Sequence, residues 1–435
     1  MELQQLFDFL NRSVSPFHAV QNAADLLDAA GYLRLEEADY WNLEPGCGYY
    51  TTRNGSSLIA WRIPAHAIGG WRITASHSDS PTWRVKNTDI KSAGCVKFNV
   101  EGYGGMIMSS WLDRPLSVAG RVLVRDEAEG TLTSRLVNLD RDLLVIPSLA
   151  IHMDRTANDG HKFNPQVDMQ PLYGPEGARP FPDLVAEAAG VDKEAIVDWD
   201  LSLYTRQAPT RIGPDGEFFM SPRIDDLECA ATTLYAFLEA APETDSACAP
   251  VWAMFDNEEV GSGTRQGAQS SFLRDVLDRI LSAVPHSAQS MAQALANSFL
   301  LSADNAHAAH PNFADKADSA NPVRMGGGVV LKINASQKYT TSGLTGAIFR
   351  EICRRSEVPV QLFANRADMP GGSTLGNLQS HTVPVPMADI GLAQLAMHSA
   401  VETAAVSDAD AMVRAVAGFY RVHLRALGDG RYTLE

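Results

Sequence analysis

Acids and imidazoles are concentrated in a few short stretches of this chain: His77-Ser78-Asp79, Asp225-Asp226, Asp256-Asn257-Glu258-Glu259, Asp304-Asn305-Ala306-His307, then Asp389 and His398. Carboxylates converging on one place would repel one another and raise their pKa values, a cost that bound cations offset. Imidazole plus carboxylate, with no thiolate, suits divalent zinc, cobalt or manganese. Two ions bridged by one carboxylate need only one His and one or two further carboxylates apiece, which leaves room for a shared hydroxide. In His77-x-Asp79, the carboxylate two residues on can accept the imidazole's other N–H and fix its tautomer. Glu258 and Glu259 are adjacent, so in an extended or loop segment they point in different directions. One can hold metal while the other faces a reacting water as general base.

Each stretch alone has an ordinary explanation. A lone H-x-D is common, Asp-Asn-Glu-Glu is usually a solvated loop, Asp304 would serve a turn, and His398 in an apolar helix would be a core histidine. What lifts them is the element preceding each. Runs of strand character over 71–75, 250–255, 299–303 and 382–387 lead into His77, Glu258–Glu259, Asp304 and Asp389. Open α/β sheets hold their ligands beyond the carboxyl ends of such strands. Further strands are expected at 57–63, 329–333 and 360–363. Helices are expected at 227–240, 270–281, 342–356 and 392–406, the last carrying His398, with two more in 3–31 broken near Ser15-Pro16. This alternation predicts an α/β fold with helices on both faces of a mixed sheet. Between Pro81 and Pro214 helical periodicity is scarce, and β-prone runs (96–100, 118–124, 143–147) alternate with Gly, Asp and Asn turns. We read a β-rich insertion there: a split catalytic domain over 1–80 and 221–435, interrupted by 81–220.

Composition narrows the function classes. The net charge of −16 repels phosphate backbones, so nucleic acid is not an expected partner. No run approaches the roughly 20 apolar residues a membrane span needs. Residues 1–14 have no cationic start followed by an apolar stretch, which argues against a signal peptide. The five cysteines are odd in number and scattered, with no C-x-x-C pair, as expected in a reducing, cytoplasmic compartment. Gly261-Ser262-Gly263 with Gly267 lacks dinucleotide spacing and follows four residues that would repel a pyrophosphate. H-E-x-x-H and G-x-S-x-G are absent. A non-catalytic assembly protein on the same fold is the remaining rival, since fold does not dictate function.

Taken in order, His77-Ser78-Asp79-Ser80-Pro81, Ser221-Pro222-Arg223-Ile224-Asp225, Asp256-Asn257-Glu258-Glu259-Val260-Gly261-Ser262, Ser302-Ala303-Asp304-Asn305-Ala306-His307 and Leu395-Ala396-Met397-His398-Ser399 resemble the M18, or aspartyl aminopeptidase, family of bacterial type. The resemblance covers nearly the whole chain. It implies a metallo-aminopeptidase with two Zn2+ per subunit (Co2+ or Mn2+ as substitutes) acting on peptides with a free N-terminus. Carried over residue by residue, it implies His77 and Asp304 on one zinc, Glu259 and His398 on the other, Asp225 bridging, Glu258 as general base and Asp79 behind His77. The insertion is similar to the family's dimerisation domain. His152 would reach a neighbouring subunit's active site, within a homo-oligomer expected to be a dodecamer built from dimers. Lys332 would meet an acidic substrate side chain, with His307, Met369 and Gly371 completing the pocket, which predicts preference for Asp or Glu. Neutral-residue preference is the alternative, because the resembled family includes enzymes of both kinds; it also often has Cys in the place of Gly371. Asp226 also stands where many members have Asn.

Overall fold

The structure, a computed structural model, describes residues 1–241, 247–284 and 291–435. Its largest sheet has nine strands in the order Leu33–Arg34, Gly48–Arg53, Ser57–Arg62, Cys248–Phe255, Gly70–His77, Phe299–Ala303, Met387–Gly391, Val329–Ile333 and Val360–Ala364. Cys248–Phe255, Gly70–His77, Phe299–Ala303 and Met387–Gly391 run parallel, so their carboxyl ends open on the same edge. Val329–Ile333 runs antiparallel to Met387–Gly391, which makes the sheet mixed.

These four strands are buried throughout because both faces are covered. Along Cys248–Phe255 the side chains alternate. Trp252 and Met254 face a core formed with helices Leu3–Arg12, Pro16–Ala29, Ile224–Ala240, Gly343–Arg355 and Val406–Arg421. Val251, Ala253 and Phe255 face a second core closed by helix Phe272–Ala283. Full burial of each large apolar side chain contributes about 1.5–3 kcal/mol. The break at Ser15-Pro16 has a local cause: Ser15 caps the second helix and Pro16 occupies its first turn, where no N–H is needed.

A six-stranded antiparallel sheet is built wholly from residues 82–205, in the order Thr131–Asn138, Leu116–Asp126, Ile196–Thr205, Thr82–Ser92, Cys95–Tyr103 and Leu172–Pro175. It lies in sequence between two strands of the rest of the molecule and has its own core around Trp83, Phe98, Val118, Val122 and Phe181. Thr210–Ile212 and Phe218–Ser221 pair elsewhere, in a five-stranded sheet with Glu402–Ala405, Ala393–Leu395 and Ala306–His307.

Three expected elements differ. The strand placed at 382–387 is Met387–Gly391. Pro384 and Pro386 cannot donate to a ladder, and the amides of Thr382 and Val383 close a turn on the Gln379 carbonyl instead. Asp389 therefore sits inside a strand, not beyond one. The helix placed at 392–406 is a hairpin, Ala393–Leu395 with Glu402–Ala405, and the helix begins only at Val406. Residues 143–147 form isolated bridges rather than a strand.

Candidate metal centre

The open edge of the parallel strands gathers the predicted ligands. His77 ends Gly70–His77, and Asp304 directly follows Phe299–Ala303. The strand Cys248–Phe255 leads through Asp256 and Asn257 into a single tight turn, Glu258–Val260. Asn257 adopts φ +62°, a left-handed conformation that Asn tolerates better than most residues. Asp225 lies at the start of helix Ile224–Ala240, where it and Asp226 depart from helical torsions, so the regular helix begins at Leu227. His398 sits in the turn between Ala393–Leu395 and Glu402–Ala405, at φ +67°.

Three overlapping groups of side chains have ligand atoms mutually within 4.8 Å: His77, Asp225, Asp226 and Asp304; His77, Glu258 and Glu259; and Asp225, Glu259 and His398. Asp225 joins two of them. Its Oδ1 lies 3.4 Å from His77 Nε2 and its Oδ2 lies 3.4 Å from His398 Nε2. His398 Nε2 is also 3.3 Å from Glu259 Oε2. Buried polar oxygens ordinarily find donors. Here Asp225 Oδ1 and Glu259 Oε1 are buried without one. Carboxylate oxygens and imidazole nitrogens converging with no hydrogen to share fit divalent cations of the zinc, cobalt or manganese kind.

The other nitrogen of each imidazole is tied to backbone. His77 Nδ1 lies 3.0 Å from the Asp79 carbonyl oxygen and His398 Nδ1 lies 2.7 Å from the Gly105 carbonyl oxygen. Both rings therefore carry Nδ1–H and turn Nε2 inward. This revises the expected part of Asp79. Its main-chain oxygen takes the His77 N–H, while its carboxylate is 3.4 Å from that ring and accepts the amides of Glu258 and Glu259 at 3.1 Å each. Asp79 thus fixes the turn that presents both glutamates.

Charge crowding shows in the acid–base balance. Burial, reinforced by neighbouring carboxylates, pushes Glu258 up to about 9 and Glu259 up to about 7. Burial also pushes Asp225 upward, but His398 and His77 outweigh it and hold that carboxyl below the usual carboxylate range. Burial pushes His398 down, yet Asp225 and Glu259 lift it to about 11. The raised glutamates and the raised imidazole act with the same sign. The folded metal-free chain holds more protons than the unfolded one, so its stability falls as pH rises. For Glu258 the loss accrues from the ordinary Glu range upward to about 9, and for Glu259 upward to about 7. For His398 it runs from the ordinary His range to about 11. The depressed Asp225 acts oppositely, in acid only. Metal-free protein should therefore melt on the order of 5 °C lower at pH ~9 than at pH ~6. Zinc uptake, which displaces these protons, should tighten over the same interval. Calorimetric scans of chelator-stripped protein check this, and a melting temperature that rises across the interval contradicts it.

The predicted pocket residues divide between two places. Lys332 is 2% exposed; its ammonium donates to the Asn305 carbonyl at 2.7 Å and lies 3.4 Å from Asp304 Oδ1. The His307 ring packs on Phe363 nearby, with centroids 6.3 Å apart. Met369 and Gly371 instead line a cavity of about 1280 Å³ with Leu331, Ile333, Lys338 and Arg350. Lys332 is not in that lining, because it alternates to the opposite face of Val329–Ile333. A Cβ at Gly371 would come 2.1 Å from Asn365 Nδ2, so no Cys fits there without moving Asn365. Asp389 also stands apart from the ligands: it accepts from Thr340 and Thr374 and ties together the loops beside the cavity. His152 is exposed and, among the described residues, bonds to none of the cluster.

Two supports were not read from the sequence. Glu402, 2% exposed, accepts the backbone N–H of Asp225 at 3.0 Å and of His398 at 2.7 Å. Tyr103 donates its hydroxyl to Asp79 Oδ2 at 2.6 Å. An acid inside the apolar run Ala400–Ala405 offered a faint signal for the first; nothing local marks the second.

Comparison with known proteins agrees with this geometry. The profile of a family described as Aminopeptidase I zinc metalloprotease (M18) matches residues 9–420. A protein of Clostridium acetobutylicum named probable M18 family aminopeptidase 2 is 40% identical over 428 residues, covering 96% of this chain and 98% of the relative. Its namesake from Pseudomonas aeruginosa is 42% identical over 427 residues, covering 96% and 97%. Among solved structures, the one described as the Ape4 and Nbr1 complex aligns with TM-score 0.92 and 35% identity over 96% of this chain and 85% of that one. The S. cerevisiae mApe1 dodecamer aligns with TM-score 0.85 and 28% identity, covering 96% of each chain. This chain belongs to the M18 family, a family of metallo-aminopeptidases, and is a hydrolase of that kind.

Proposed function

We propose that the protein is a two-zinc aminopeptidase that removes the first residue of peptides, with preference for Asp and Glu. The observation that carries this reading is Asp225, whose two oxygens each lie 3.4 Å from a different imidazole, the disposition a bridging carboxylate needs. His77 and Asp304 would hold one ion, Glu259 and His398 the other, with Co2+ or Mn2+ as substitutes. Bound there, the ions supply the positive charge that polarises the scissile carbonyl and acidifies the attacking water. Glu258 takes a proton from that water as its oxygen bonds to the carbonyl carbon, then gives it to the departing nitrogen as the C–N bond breaks. Asp79 keeps Glu258 and Glu259 in their separate orientations through their amides. The acidic cluster attracts the substrate's free α-ammonium, which confines cleavage to the first residue.

Acid preference rests on Lys332, the buried cation beside Asp304. A charge-assisted bond to a substrate carboxylate would contribute about 1.5–3 kcal/mol. One observation favours neutral residues instead: the Lys332 ammonium already bonds to the Asn305 carbonyl and neighbours Asp304. Hydrolysis of a panel of aminoacyl substrates separates the two. Asp and Glu substrates should exceed Ala and Leu at least about tenfold in kcat/KM, and Lys332→Met should erase that margin. Equal rates across the panel, or a margin that survives Lys332→Met, exclude the acidic pocket.

We further propose a homo-oligomer, a dodecamer built from dimers, joined through the six-stranded sheet. Leu149, Ile151 and Met153 are 63%, 44% and 77% exposed around His152, an apolar tip suited to burial against another copy. The dodecameric yeast relative supports this assembly, with His152 entering a neighbour's site. A reducing, cytoplasmic setting fits the five cysteines, odd in number and scattered along the chain. Among the described residues no helix is long and apolar enough to cross a membrane.

A further inference from the structure

The six-stranded sheet reaches the metal centre through one short run, residues 103–110. Tyr103 ends the strand Cys95–Tyr103. Its hydroxyl donates to Asp79 Oδ2 at 2.6 Å and accepts from Asn257 Nδ2 at 2.8 Å. Asp79 in turn receives the amides of Glu258 and Glu259. The next residue, Gly104, has φ +75°, and a Cβ there would come 3.1 Å from Glu259 Cβ. Gly105 offers its carbonyl to His398 Nδ1 at 2.7 Å, and the Ile107 amide donates to the His398 carbonyl at 2.9 Å. Ser110 Oγ accepts the Ala400 amide at 2.8 Å. A single run from the inserted sheet therefore grips three loops of the other sheets: the one after Gly70–His77, the one after Cys248–Phe255, and the His398 turn.

We propose that Tyr103 is a positioning residue for hydrolysis and that residues 103–110 form a strut by which the six-stranded sheet sets the metal ligands. The inference rests on the two-metal reading of the site. Tyr103 touches neither metal nor substrate; it acts through Asp79. The Asp79 carboxylate has to accept two amides on adjacent residues at once, which fixes its rotation. The Tyr103 hydroxyl adds a third donor on Oδ2 and, through Asn257, links that rotation to the start of the glutamate turn. Without the hydroxyl, only the two amides hold Asp79, its link to Asn257 is lost, and the turn that carries Glu258 and Glu259 loosens with it. Partners one bond behind a ligand typically change metal affinity or activity by about 10–100-fold when removed.

The test uses the full-length protein loaded with zinc. Tyr103→Phe keeps the ring and loses only the hydroxyl. We expect zinc release to a colorimetric chelator to accelerate at least about tenfold and kcat to fall about 10–100-fold, with KM changed less than about threefold. Tyr173→Phe, which removes a hydroxyl of the same sheet bonded to the Arg179 carbonyl, should match wild type in all three. If Tyr103→Phe loses solubility, the cycle with Asp79→Asn is read in protein that remains folded by circular dichroism. Action through Asp79 makes the two changes less than additive. Unchanged zinc release and kcat in Tyr103→Phe, or strict additivity in the cycle, overturns the strut. Wild-type protein that holds no zinc would instead refute the two-metal reading itself, so the two failures are separable.

Discussion

Glu258→Gln is expected to lower kcat by at least about 10²–10⁴-fold while zinc content, assembly and melting temperature stay near wild type. Gln keeps the shape of Glu and its backbone amide still bonds to Asp79 at 3.1 Å, so the turn is preserved. What is lost is a carboxylate able to accept a proton from water and return it. Glu258 is suited to that exchange by its surroundings. Burial, with Asp304, Glu259 and Asp79 close by, raises its affinity for a proton, whereas the His77 imidazole and bound cations lower it. Neutralising Glu258 relieves part of the repulsion within the cluster, so zinc should bind no more weakly in the variant. Metal analysis together with steady-state kinetics checks the assignment. Turnover within about tenfold of wild type, with two zinc ions retained, would remove Glu258 from the role of base.

The same separation between holding metal and moving protons explains which parts of the site could be read from the chain. Strands 71–75, 250–255 and 299–303 were legible because an interior strand covered on both faces is predominantly apolar, and each stops abruptly at a polar residue. His77, Glu258, Glu259 and Asp304 follow from those ends. Asp225 was marked by its place just before an apolar helix. The surroundings of His398 were not legible, although the residue itself was. Leu392, Leu395, Ala396 and Ser399 satisfy a helical period, but Gln394 and Glu402 are buried at 1% and 2% exposure and demand polar partners. The hairpin supplies them, since Gln394 donates to Glu402 and Glu402 takes the amides of His398 and Asp225. A buried acid whose role depends on a partner 177 positions away, the Asp225 amide, leaves no periodic trace. Tyr103 and Gly105 are hidden for the same reason: their partners lie 24 and 293 positions away. The pocket was the least legible part. The side chains of Val329–Ile333 alternate, which puts Lys332 on one face and the cavity bearing Met369 and Gly371 on the other.

The contrast between Asp225 and Asp226 tests the bridge most directly. Asp225→Asn should lose zinc from at least one position and lower kcat/KM by at least about 10³-fold. An amide presents one acceptor oxygen and one NH2, so it cannot serve two cations at once. In the present geometry Oδ1 faces His77 and Oδ2 faces His398, so either amide orientation turns hydrogens toward one imidazole nitrogen. Asp226→Asn, one residue on, should be mild, within about fivefold of wild type. Asp226 Oδ2 accepts the His77 backbone N–H at 3.0 Å, which an amide oxygen can do equally well. Its Oδ1 is buried without a donor, so an NH2 there replaces an unsatisfied oxygen rather than a working one. The exchange also changes little charge, because burial and the nearby Asp304 and Asp225 hold the Asp226 carboxyl well above its usual range and favour its neutral form. Zinc content of the two purified variants, measured beside kcat/KM, distinguishes a bridge from a mere acidic neighbourhood. Were Asp225→Asn to keep both ions while Asp226→Asn lost one, the bridging oxygens would belong to Asp226, and the disposition of His77 and His398 about Asp225 would need another cause.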